Sequence, residues 1–281
     1  MAMPAASPFT MKRPNAASGF ILAIALFAAG AAHANSGGPS HESWWLSWLD
    51  STFGTNFGGV VYGDDSNRVV GSDKLVHQIR SIAGVRGIEV RGPINVVLKQ
   101  SPAEKLTLHT DDNLAPLIET PVVDGILLVG VKAGAGFHSR HAVGITVELP
   151  GLRSVKLLGS GDFTSADLET DLLDIAVQGS GNLRIDALRA ATVSVLMQGS
   201  GDVVLSGTVP KQGCVIAGGG DLDAGELAGR DVAVRVAGSG SAHVWVSQTL
   251  SVDIDGSGNV HYRGKPSISK SIKGSGNLLA D

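Results

Sequence analysis

Leu157-Leu158-Gly159-Ser160-Gly161-Asp162-Phe163 decides the reading of this chain, because its central phrase returns six more times before Asp281. GSGD stands at 159–162, GSGN at 179–182, GSGD at 199–202, GGGD at 218–221, GSGS at 238–241, and GSGN at 256–259 and 274–277. The successive spacings are 20, 20, 19, 20, 18 and 18 residues. A period held this closely marks a solenoid, in which each repeat is one supersecondary unit stacked on the next.

Alignment on the first glycine exposes the columns. Two residues before it stand Leu157, Val177, Met197, Ile216, Val236, Ile254 and Ile272, and four before it Val155, Ile175, Val195, Cys214, Val234 and Val252, with Lys270 breaking the set. The column between is mixed: Lys156, Ala176, Leu196, Val215, Arg235, Asp253 and Ser271. Period-two alternation of this kind is a half-buried strand. Four residues past the first glycine come Phe163, Leu183, Val203, Leu222, Ala242, Val260 and Leu278, so a second strand begins there. Each repeat is expected to be strand, tight turn, strand, all-β and without helix. Coils stacked about 4.8 Å apart turn these columns into ladders, and seven make a rod of roughly 30 Å.

The turn residues have expected parts. Gly159, Gly161, Gly179, Gly181, Gly199, Gly201, Gly218, Gly220, Gly238, Gly240, Gly256, Gly258, Gly274 and Gly276 are the expected structural residues of a tight turn that needs positive φ at one or more positions. On that reading Ser200→Ala is mild and Val at Gly181 or Gly201 is costly. Asp162, Asn182, Asp202, Asp221, Asn259 and Asn277, with Ser241 as the exception, suit side chains that bond nearby backbone amides. Calcium-binding β-rolls use a nine-residue period and more carboxylate, whereas this column carries Asn at three positions and Ser at one. A turn-capping ladder is the reading adopted, with no metal and no cofactor.

Upstream, residues 1–34 have the form of a signal peptide. Lys12 and Arg13 precede a short apolar run from Phe20 to Phe27, and Ala32-His33-Ala34 offers a cleavage site, with Met11 an alternative start. Cleavage predicts an exported protein, periplasmic or extracellular on a bacterial cell surface, with no transmembrane anchor left behind. It removes two bases and no acid, leaving 20 basic and 26 acidic side chains, a charge of −6. No basic stripe accompanies this balance, which argues against nucleic acid. The single cysteine, Cys214, lies in an apolar column and reads as a small core residue.

Residues 35–79 are rich in Gly and Ser, and Trp44, Trp45, Trp48, Phe53 and Phe57 crowd together there. Spacings of four fit a short amphipathic helix that either folds back on the solenoid or anchors to a membrane, sugar or protein partner. From residue 80 to 150 alternating strands recur without the phrase: Ile88 and Val90; Ile94, Val96 and Leu98; Leu106 and Leu108; Ile126, Leu128 and Val131; Ile145, Val147 and Leu149. They read as irregular early coils of the same stack, giving one domain over 80–281 with regular repeats from 153. His138, Arg140 and His141 lie in a Gly-rich loop and are candidates for metal or acid–base chemistry, but no third ligand or carboxylate partner has a recognisable spacing.

The GSGD/GSGN repeats, the segment Val85-Arg86-Gly87-Ile88-Glu89-Val90 with 94–100 (INVVLKQ), and the Leu149-Pro150-Gly151-Leu152 approach resemble the putative auto-transporter adhesin, head GIN domain family, over residues 80–279. The resemblance implies a right-handed parallel β-helix of two sheets with the GSG phrase as the turn between them. It also implies an envelope or secreted location and a part in adhesion, and it carries no catalytic residues. The chain departs from an autotransporter in that only three residues follow Leu278, too few for an outer-membrane barrel.

Three functions follow as expectations. The first is a non-catalytic adhesion or scaffold module for a glycan or surface protein, forming a homo-oligomer through an uncapped solenoid end. The second is a β-helix polysaccharide lyase or hydrolase. The outward column Leu158, Gln178, Gln198, Ala217, Ala237, Asp255 and Lys273 offers it only the Asp255/Lys273 pair, which reads as a surface ion pair. The third is a purely structural envelope protein.

Overall fold

The computed structural model describes residues 68–281, so the signal peptide expected at 1–34 and Trp44, Trp45 and Trp48 lie outside the described residues. The chain forms a β-solenoid of about six turns. Among the described residues one short 3-10 turn, Ala115–Leu117, interrupts an otherwise all-strand chain.

The first half contains β1 (Arg68–Val70), β2 (Leu75–Ser81), β3 (Gly87–Val90), β4 (Ile94–Gln100), β5 (Lys105–Asp111), β6 (Ile118–Glu119), β7 (Val122–Val123), β8 (Ile126–Val131), β9 (Gly136–His138) and β10 (Val143–Leu149). The repeats follow as β11 (Ser154–Leu157), β12 (Phe163–Ser165), β13 (Leu168–Val177), β14 (Leu183–Met197), β15 (Val203–Thr208), β16 (Lys211–Ile216), β17 (Leu222–Val236), β18 (Ala242–Gly256), β19 (Val260–Gly264), β20 (Ser267–Gly274) and β21 (Leu278–Ala280). All pairings among β11 to β21 are parallel, and equivalent residues face each other: Phe163 on Leu183, Leu183 on Val203, Val203 on Leu222, and so on to Leu278. Phe163, Leu183, Val203, Leu222, Ala242 and Val260 are all buried, as are Val155, Ile175, Val195, Cys214, Val234 and Val252. Each such aliphatic side chain contributes about 1.5–3 kcal/mol by leaving water. Cys214 belongs wholly to this ladder, and burial pushes its thiol up to about 12.

Strands such as β14 and β17 run on for 15 residues through the corner opposite the glycine phrase. The unequal repeat lengths are absorbed at that corner. Ile185 faces Leu205 but Leu188 faces Gly207, and Ala224 faces Val244 but Ala228 faces Trp245, so residues drop out only where the chain bends. Gly207 and Gly264 sit there with φ of 127° and 119°, the left-handed half of backbone space that a shortened bend requires.

The early strands correct the simple picture of successive coils. β3 pairs parallel with β11, placing Ile88 on Val155 and Val90 on Leu157, and β4 places Val96 on Phe163. Residues 87–100 are therefore a full coil whose turn is Gly92-Pro93-Ile94-Asn95. The chain next continues past this layer: β8 lies parallel on the far side of β3 and β10 on the far side of β4. The order of layers in space thus differs from their order in sequence. Antiparallel β5 joins β10, β2 joins β5, and β6 and β7 fold back on β8, closing this end of the stack. In β8 the inward side chains are Leu127 and Val129, fully buried, with Val131 packed against the core behind them, so of the expected set Val131 faces inward and Ile126 and Leu128 are out of phase by one residue. The boundary expected at residue 80 falls inside β2. Arg80 itself pins the cap, donating to Ile118 O at 2.7 Å, Ala115 O at 2.9 Å and Thr120 Oγ1 at 3.0 Å, and burial lowers its pKa.

Candidate functional site

The turn edge is built by close approach of backbones. A Cβ added to Gly179 would lie 2.8 Å from the carbonyl carbon of Gly159 and nearer still to its oxygen, and one on Gly181 would lie 2.9 Å from that of Gly161. The same clash recurs along both glycine columns, from Gly159 and Gly161 to Gly274 and Gly276. Positive φ, the expected reason, holds only at Gly274 among these residues. The glycines let one coil settle on the next: Gly159 O accepts from Ser180 N at 3.0 Å and Gly181 N at 3.2 Å, and Gly179 O repeats the pattern with Ser200 and Gly201. The middle position points outward, which is why Gly219 replaces serine there with only Ser239 Oγ, at 3.8 Å, near its missing side chain.

The Asp/Asn column acts between coils rather than within one turn. Asn95 Oδ1 accepts from Asp162 N at 3.0 Å, Asp162 Oδ1 from Asn182 N at 2.8 Å, Asn182 Oδ1 from Asp202 N at 3.0 Å and Asp202 Oδ1 from Asp221 N at 2.9 Å. Asp221, Ser241 and Asn259 continue it to Asn277 N. Asp, Asn and Ser share the one property this ladder needs, an acceptor oxygen one carbon from Cβ or on it. Among the described residues no three His, Cys, Asp or Glu side chains gather as metal ligands.

The Gly-rich loop has carboxylate partners that sequence spacing did not reveal. His141 Nδ1 lies 3.2 Å from Asp111 Oδ1, Ser139 Oγ donates to Asp111 Oδ2 at 2.9 Å, and Arg140 pairs with Asp73 at 2.9 Å. Hydroxyl and imidazole both grip one fully buried carboxylate, instead of the hydroxyl donating to the imidazole as an activated nucleophile requires. The arrangement fastens the loop to β5. His138 lies on β9 against Val70. Asp255 and Lys273 are neighbours in register, but no ion pair joins them, contrary to expectation.

Two further outward features lacked a sequence signal. Trp245 lies beneath the Arg263 guanidinium at 4.3 Å, Arg263 pairs with Glu226 at 3.2 Å, and His243 packs on His261 with ring centroids 4.6 Å apart. At the capped end His109 meets His77, Nδ1 to Nδ1, at 2.6 Å, and its pKa is lowered by burial first, then by His77 and Lys99.

A groove of 1080 Å³ runs along the corner opposite the glycine turns. Its wall is formed by the bends of successive layers at 84–86, 150–153, 169–171, 189–191 and 208–210. Gln100 staples the bends together, donating to Pro150 O at 3.0 Å and Glu169 O at 2.9 Å while accepting from Glu169 N at 2.7 Å.

The profile of the putative auto-transporter adhesin, head GIN domain family matches residues 85–266, from just before β3 to just after β19. The chain belongs to this family. Among solved structures, a putative adhesin from Bacteroides fragilis NCTC 9343 is 28% identical with a TM-score of 0.72, over 76% of this chain and 100% of that one. A putative lipid binding protein from Parabacteroides distasonis ATCC 8503 is 26% identical with a TM-score of 0.66 over the same shares. A putative adhesin from Parabacteroides merdae ATCC 43184, 24% identical with a TM-score of 0.64, shares the fold. No curated protein matches. In this head GIN domain the glycine and Asp/Asn columns hold coil to coil, and exposed polar and charged side chains lie on the outer faces and in the corner groove.

Proposed function

We propose that this head GIN domain protein is an exported, non-catalytic adhesion module of the bacterial envelope, with a glycan or a surface protein as its partner. The observation that carries the reading is the coil-to-coil locking of the turn edge, which gives a stiff scaffold with outward columns at a constant spacing, in a family named for adhesion. Of the acid–base candidates, His141 shares Asp111 with Ser139, whose hydroxyl donates to that carboxylate and not to the imidazole, so the loop presents no hydroxyl activated by His141. Among the described residues no helix is long and apolar enough to cross a membrane. The test is a glycan array and whole-cell binding with the chain from residue 35 and from residue 68. Binding lost on the shorter chain assigns adhesion to the aromatic segment with Trp44, Trp45 and Trp48; binding kept assigns it to the solenoid; binding by neither refutes the reading.

A second reading, association of copies through the last coil, is favoured by the exposure of β20 along its length, with Ile268 41% and Ile272 38% exposed. Between them Lys270 faces Val252 in the inward column, and an inward charge weakens edge pairing. The association proposed is therefore weak and concentration-dependent, and light scattering that shows one unchanging monomer at all concentrations would refute it.

A further inference from the structure

We infer that the corner groove binds a sparsely charged acidic polysaccharide, with Arg86 and Arg153 receiving its carboxylates. The inference rests on the adhesion reading and names the ligand class. The two arginines come from segments far apart in sequence but lie on adjacent layers: Ser154 faces Gly87, and Arg153 N donates to Arg86 O at 2.8 Å. Both side chains are exposed on the groove wall. Among the described residues neither has an ion-pair partner, although the neighbouring Arg189 has Glu169 at 3.6 Å. Glu104, the acid beside them, already accepts from Gly84 N at 2.7 Å. Arg86 is also seated: a Cβ on Gly125 would lie 2.9 Å from its Nε, so the hairpin glycine leaves the space that the guanidinium fills. The two arginines are borne on adjacent layers of one wall, and an anion bound between them would accept from both forks while offsetting both charges.

The rest of the wall selects the kind of anion. Glu104, Glu169 and Asp171 also line the groove and would repel a polymer with a charge on every unit, such as a nucleic acid. Those same carboxylates, with the Thr170 and Thr208 hydroxyls, accept and donate hydrogen bonds to sugar hydroxyls. The wall spans five successive layers, about 19 Å at the strand spacing. That is room for several sugar units, with one acid group at the arginine pair.

The experiment titrates the chain from residue 35 with oligosaccharides of a polyuronate and with the same oligosaccharides after reduction of their carboxyl groups, by calorimetry. The expected result is binding of the acidic form, little of the reduced form, and a loss of about a hundredfold in Arg86→Gln/Arg153→Gln. The Arg86→Lys/Arg153→Lys variant keeps the charge and recovers part of the affinity; unchanged urea midpoints show that both variants fold. Equal affinity for the reduced sugar, no effect of the Gln pair, or no binding of the polyuronate overturns the inference. Whole-cell binding measured alongside separates the two readings. Cell binding without polyuronate binding leaves adhesion standing and removes this site. Polyuronate binding lost in the Gln pair, without cell binding, keeps the site and removes adhesion.

Discussion

Replacing Gly181 with Ala tests why the phrase needs glycine. The new Cβ would lie 2.9 Å from Gly161 C, where ordinary contact begins near 3.4 Å, so the two coils must part by at least half an ångström and more at the oxygen. The bonds that hold this seam are Ser180 N to Gly159 O at 3.0 Å, Gly181 N to Gly159 O at 3.2 Å and Asn182 N to Asp162 Oδ1 at 2.8 Å. Weakening two of them costs about 1 kcal/mol each, and forced overpacking adds about 1–3 kcal/mol, for a total of about 3–5 kcal/mol. With a urea slope of about 2–3 kcal/mol/M, the unfolding midpoint falls by about 1–2.5 M at unchanged slope. Ser180→Ala, whose side chain points outward, stays within about 0.5 kcal/mol. Gly181→Asn separates the two explanations. If glycine served a positive φ, Asn would be tolerated better than Ala; a carbonyl in the way makes Asn at least as costly. A Gly181→Ala loss below about 1 kcal/mol, or Asn milder than Ala, refutes the close-approach argument.

Other positions give independent tests. Asp202→Ala removes the acceptor of Asp221 N and should cost about 1 kcal/mol in urea unfolding, whereas Asp202→Asn keeps an oxygen and should be near neutral; equal losses would show that charge, not the ladder bond, matters. Burial raises the Asp174 carboxyl to about 6 from an ordinary 3.8, opposed by a bond from Ser194. A carboxyl raised on folding adds most stability while protonated in both states and loses that contribution as pH rises from about 4 through about 6. Asp174→Asn should therefore be more stable than the parent by about 1 kcal/mol at pH 7, after allowance for solvent screening, with the gap closing by pH 4. A gap independent of pH would exclude Asp174 as its source. Lys270→Val completes the inward column at the last coil, and light scattering should show stronger association than in the parent; no change would mean that this end is not the contact.

The regular coils were legible because each solves the same packing problem with the same residues, so the solution repeats in the sequence. The coil at 87–100 solves it too but hides the answer. Pro93 and Ile94 stand where serine and the second glycine would be, leaving only Gly92 and Asn95 of the phrase. Gly161 still stacks on Ile94, because the Cβ that matters is the one on the later coil, aimed at the backbone of the earlier one. A residue with no coil preceding it in the repeat series escapes the constraint and the pattern with it. The same asymmetry accounts for the cap. Its strands pair out of sequence order, parallel for β10 on β4 and antiparallel for β2 on β5, and no local period records either pairing. One local signal was present: Asp124-Gly125, with φ of 51° and 79°, is a two-residue hairpin turn, and it fixes the fold-back of β7 on β8 and with it the seat of Arg86. The groove was illegible for a further reason. Arg86 and Arg153 are 67 residues apart, the same interval that separates Gly92 from Gly159, and only recognition of the hidden coil would have set the two arginines side by side.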